Sequence, residues 1–81
     1  MDGVQATEAN FNRANLLGVS ARAGSFNESS FYYARLTAGI FVGADFTNAD
    51  LTRAVLRVTS FFDARMDDAK MEAAVLDRAK F

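Results

Sequence analysis

Eighty-one residues without a cysteine or a histidine make one small domain with no disulfide staple and none of the usual ligands for structural zinc. Nine basic and ten acidic residues leave a formal net charge of -1, which argues against a general phosphate-binding surface. With serines strewn along the chain and no imidazole or thiolate, no nucleophile-base pair is visible, so neither an enzyme nor a cofactor is expected.

The opening MDGVQATEAN lacks the basic and apolar regions of a signal peptide, and cytoplasmic placement is the expectation. From Met1 onward the chain keeps a beat of five. Every fifth residue reads Met1, Ala6, Phe11, Leu16, Ala21, Phe26, Phe31, Leu36, Phe41, Phe46, Leu51, Leu56, Phe61, Met66, Met71, Leu76 and Phe81, taking every methionine and nearly all of the phenylalanines and leucines. The column two places earlier, from Val4 and Ala9 to Ala79, is uniformly small or β-branched. A small and a large residue two positions apart lie on the same side of an extended segment, so both point inward while the residue between them points out. Two residues, such as Thr47 and Asn48, then turn a corner. Gly3, Gly18 and Gly43 take the second corner position, where some turns require positive φ; the other corners lack glycine, which predicts a second turn type.

The longest apolar stretch, Ala38 to Ala44, is interrupted by glycines and too short to span a bilayer. The tail MEAAVLDRAKF looks helical in isolation. Residues five apart on a helix are rotated by roughly 140°, however, and would smear the apolar column around the axis, so the beat of five favours stacked coils.

The runs ANFNR ANLLG (9–18), ADFTN ADLTR (44–53) and FDARM DDAKM (62–71) resemble the pentapeptide repeat family, whose pattern is A(N/D)LXX. The resemblance covers essentially the whole chain. It implies an all-β fold, a right-handed quadrilateral β-helix of about four coils, with residues 1–81 as a single domain. Leu16, Leu36, Leu56 and Leu76 recur at twenty and give partial internal support for four walls, while opposite charges recur at fifteen as readily as at twenty. Four coils at about 4.8 Å each make a rod of roughly 20 Å.

Sorted by wall, the outer surface offers four candidate features. An acidic wall carries Glu8, Glu28, Asp45, Asp67 and Asp68 against Arg65; its bland reading is a solvated face, and no loop converges its oxygens on a metal. Arg13, Tyr33 and Arg53 form a column suited to a local cation–π stack. Outward Ile40, Val42, Val58 and Phe62 cluster near one edge as a candidate partner patch. Met66, Met71, Leu76 and Phe81 close the final coil, where burying four such side chains is worth on the order of 6–10 kcal/mol. A covered C-terminal end follows, by a symmetric homodimer, by more chain or by another protein. These features point to a non-enzymatic interaction or structural module with a protein partner and no direct nucleic-acid binding. A second reading comes from family members that resemble a DNA duplex and inhibit DNA gyrase, which would make this chain a topoisomerase-binding mimic.

Overall fold

A computed structural model describes residues 1–81. The beat of five becomes wall and corner throughout, and no helix forms. Each wall contributes one bridge residue, the outward one between the two inner positions. It pairs in parallel with the residue twenty positions on: Gln5 with Ser25, Ser25 with Asp45, Asp45 with Arg65, and so on to Ser60 with Lys80. Four corners fall within each twenty-residue offset, so the winding has four sides. The backbone bonds show the register directly. Ala6 N–H donates to the Ser25 carbonyl at 2.8 Å, Ser25 N–H donates to the Val4 carbonyl at 2.8 Å, and Glu8 N–H donates to the Asn27 carbonyl at 2.9 Å. The helix-like tail is held in the same way, Val75 N–H donating to Ala54 O and Lys80 N–H to Thr59 O, each at 2.9 Å. The fold is a β-helix solenoid whose walls are too short to form extended strands.

One turn serves every corner, contrary to the expectation of two. The N–H of each inner small residue donates to the carbonyl three residues back, as Ala49 does to Phe46 at 2.9 Å. The second corner residue has φ between 56° and 70° at all sixteen corners, and thirteen of those residues are not glycine. Positive φ at that position alone is the mark of a type II turn. Left-handed backbone costs a side-chain-bearing residue about 1–2 kcal/mol, most for a β-branched one such as Val58. The compensation is that this residue's N–H reaches the next rung, as Val58 does to Asp77 O at 2.9 Å. Corner closure and inter-rung bonding together outweigh local preference, so non-glycine corners need no turn of their own.

Inside, the large column packs as stacked rings. Phe11 lies on Phe31 at 4.9 Å, Phe26 on Phe46 at 5.1 Å, Phe41 on Phe61 at 5.6 Å and Phe61 on Phe81 at 5.1 Å, all within 16° of parallel. Neighbouring stacks meet edge to face, as Phe41 and Phe46 do at 5.3 Å. The fully buried residues run only from Ala21 to Phe61, because the first and last coils have a neighbour on one side alone. Two polar side chains lie in this interior, both in the small column. Ser29 Oγ donates to Ala6 O at 2.6 Å and accepts from Ala9 N–H at 3.2 Å, and Thr59 Oγ1 donates to Leu36 O at 2.7 Å. Each ties its rung to the carbonyl of an every-fifth-column residue on the rung before, so burial leaves neither hydroxyl without a partner. The molecule measures 25 × 22 × 18 Å, hardly longer than it is wide.

Candidate functional site

An axis filled with side chains leaves the outside as the working surface, and no cavity opens into it. Outward chemistry begins with a backbone problem. The N–H of the first corner residue takes no part in the ladder or the turn, and asparagine or aspartate two positions earlier supplies an acceptor. Asn10 Oδ1 accepts from Asn12 N–H at 2.8 Å, Asn15 Oδ1 from Leu17 N–H at 3.2 Å, Asp45 Oδ1 from Thr47 N–H at 2.9 Å and Asp50 Oδ1 from Thr52 N–H at 3.0 Å. This explains the N or D of the repeat, a role the outward column was not assigned from the sequence. A second solution reaches across rungs: Asp2 accepts from Arg22 N–H at 3.0 Å and from the Ser20 hydroxyl at 2.7 Å, and Asn12 accepts from Tyr32 N–H and the Ser30 hydroxyl.

These bonds set the acid response. The Thr47 hydroxyl, at 2.6 Å, and then the Thr47 N–H hold the Asp45 carboxyl below the ordinary carboxylate range, with Asn27 and Arg65 adding to the effect. Asp50 is lowered in the same sense through Thr52, and Asp2 through Ser20 and Arg22. A carboxyl whose folded pKa is lowered contributes stability above its unfolded pKa and loses it as pH falls through the folded value. Asp45→Asn keeps the acceptor oxygen, as Asn10 and Asn15 do, but removes the titration. We expect a melting temperature little changed at neutral pH and a shallower decline than wild type below about pH 4. Thermal melts across that range check it; parallel curves would mean that Asp45 is not linked to folding.

The predicted surface residues fall as follows. On the acidic wall Glu8, Glu28, Asp67 and Asp68 are exposed and Asp45 is partly buried; Arg65 pairs with Asp67 at 3.2 Å. No group of acidic side chains is placed to hold a metal ion. Arg13 and Arg53 lie 4.9 and 5.7 Å from the Tyr33 ring centroid on either side, the cation–π column expected, with Tyr32 edge-on to Tyr33 at 4.6 Å. In the apolar patch Val58 is 50% and Phe62 48% exposed, whereas Ile40 and Val42 are partly buried. The patch is therefore two prominent side chains with two recessed ones beside them. At the C-terminal face Leu76 is 42% and Phe81 56% exposed, while Met66 and Met71 are partly buried. No helix is long and apolar enough to cross a membrane.

With this geometry in view, the chain compares with known proteins as follows. The family model described as pentapeptide repeats matches residues 40–78 in eight copies. No curated protein matches the sequence. The fold is similar to that of HetL, a pentapeptide repeat protein involved in heterocyst differentiation regulation in the cyanobacterium Nostoc, at 20% identity and a TM-score of 0.87, over 94% of this chain and 38% of HetL. It is similar to another pentapeptide repeat protein of Nostoc at 25% identity and a TM-score of 0.89, over 93% of this chain and 64% of that one. A pentapeptide repeat protein of the Arabidopsis thaliana thylakoid lumen aligns at 23% identity and a TM-score of 0.74, over 90% of this chain and 55% of the other. The chain thus spans less than two thirds of the length of each of these proteins. Residues 40–78 are pentapeptide repeats, and the same corners and rungs run from Met1 to Lys80, so the whole chain shares the fold of these proteins.

Proposed function

We propose that this chain is a non-enzymatic interaction module, a right-handed rod of about four coils that presents a rigid side and a C-terminal end to protein partners. The observation that carries the reading is the exposure of Val58 and Phe62 beside Ile40 and Val42 on a fold that packs most of its large apolar side chains in the inner columns. Rigidity favours such a surface, because the ladder orders these side chains before any partner arrives. The test compares stability with binding. Val42→Ser combined with Phe62→Ser should shift the unfolding free energy by less than about 1 kcal/mol, as surface changes do, while affinity for the partner that co-purifies with the native chain falls about tenfold or more. A double variant that unfolds would show that these side chains pack within the chain, and unchanged affinity would move the partner elsewhere. The topoisomerase-mimic reading has weaker support: nine basic residues nearly balance the ten acidic ones, and the acidic charge is partly paired, Asp67 with Arg65 and Asp77 with Arg57.

A further inference from the structure

Charge is sorted by wall more sharply than a net value of -1 suggests. The outward bridge residues Asn15, Arg35, Val55 and Val75 run up one wall, Asn15 paired with Arg35, Arg35 with Val55 and Val55 with Val75. That wall and the corners on its two sides carry five arginines, Arg13, Arg35, Arg53, Arg57 and Arg78, against two acids, Glu72 and Asp77. The other four of nine basic residues and eight of ten acidic ones lie elsewhere on the chain. All five arginines are exposed, and of these Arg57 alone has an acidic partner, Asp77 at 3.8 Å. Arg13 and Arg53 are held against the Tyr33 ring at 4.9 and 5.7 Å, which fixes their positions without neutralising their charge. Apolar side chains stand between these charges. Val55 follows Arg35 up the ladder, and Val58, 50% exposed, turns the corner beyond Arg57 toward Ile40 and Phe62. Tyr33, Arg35, Arg53, Val55, Arg57 and Val58 all lie on the two middle rungs, each with a bonded rung on both sides.

We infer that this basic wall and the apolar patch adjoining it take an acidic segment of another protein, one whose carboxylates alternate with apolar side chains. This rests on the reading of the side as an interaction surface and names its occupant. Guanidinium forks bind carboxylates through paired N–H bonds, and Val55, Val58 and Phe62 supply the apolar ground between them. A phosphate backbone answers the arginines alone, and the eight acids on the rest of the surface repel a polyanion long enough to reach around the molecule.

The probe is a fluorescent peptide of about ten residues alternating glutamate with leucine, which when extended spans roughly 33 Å, beyond the molecule's longest dimension of 25 Å. Fluorescence anisotropy should show it binding residues 1–81 about tenfold or more tightly than a glutamate–serine or a lysine–leucine peptide of equal length, and less tightly as salt is added. Arg35→Glu combined with Arg53→Glu should weaken that binding about tenfold or more. The double variant should keep its cooperative melt, since glutamate already takes the left-handed corner position at Glu8 and Glu28, and aspartate the outward ladder position at Asp45 and Asp50. Should it fail to fold, Arg35→Gln removes one charge from the ladder and should still weaken the peptide about threefold. No binding of the glutamate–leucine peptide, an affinity unmoved by the arginine variants, or a glutamate–serine peptide or single-stranded oligonucleotide held as tightly would each overturn the inference. The partner that co-purifies with the native chain separates this result from the wider reading. If its affinity falls in the Val42→Ser, Phe62→Ser protein while the acidic peptide does not bind, the side is a docking surface and its occupant is not acidic.

Discussion

Replacing Phe46 by aspartate should leave no cooperative unfolding transition. The ring is fully buried, stacked on Phe26 at 5.1 Å, with Phe41 at 5.3 Å and Phe61 at 5.5 Å meeting it edge to face. Truncating a buried phenylalanine costs about 3–5 kcal/mol, and a carboxyl with no hydrogen-bonding partner there adds several more. A domain of this size holds only about 5–15 kcal/mol in all. Leu56→Asp should behave alike, since Leu56 is equally buried. Phe46→Leu restores the residue type found at Leu36 and Leu51 in the same column and should fold, losing about 1–2 kcal/mol. Circular dichroism through thermal melts distinguishes them, and a soluble Phe46→Asp protein with a sharp transition would mean the axis is not dry.

The in-and-out assignment was legible because side chains obey it directly: Phe26, Phe46 and Leu56 are large and apolar since water is excluded where they point. The corners were not. Tyr33, Val58 and Ala38 have no local preference for positive φ, and they adopt it because a rung twenty residues away accepts their N–H. That is a tertiary cause with no signature at the residue itself. The surface patch was legible in part. Phe62 belongs to the last coil and stands clear, while Val42, flanked in its column by Arg22 and Phe62, has a rung on both sides and is recessed.

Gly39→Ala should destabilise the protein by about 1–3 kcal/mol, and more than Gly24→Ala. A β-carbon at Gly39 would sit 2.7 Å from the Phe41 ring and 2.9 Å from the Leu36 carbonyl oxygen. At Gly24 the ring of Phe26 is as close, 2.7 Å, but the nearest backbone atom, the Ala21 carbonyl oxygen, stands at 3.2 Å. Rings can shift within a stack, whereas the Leu36 carbonyl is pinned by the corner bond from Gly39 N–H, 2.8 Å, and by the Thr59 hydroxyl, 2.7 Å. Alanine stiffens the unfolded chain by roughly 0.4–1 kcal/mol, which opposes the clash without cancelling it. Urea titrations of the two variants rank them, and a Gly39→Ala protein as stable as wild type would show that the Leu36 corner can yield.

The twenty-residue offset between bonded rungs also dictates when structure can appear on a growing chain. The bond from Gly3 N–H needs the carbonyl of Arg22, so nothing joins one rung to another until more than a full circuit has been made. Up to that point corners are strained and inner side chains have nothing beneath them. Afterwards each new five residues settle onto a finished edge and add ladder bonds and an apolar layer at once. The unfavourable step is therefore met once, at the first pair of rungs, and the rest is templated growth along one dimension.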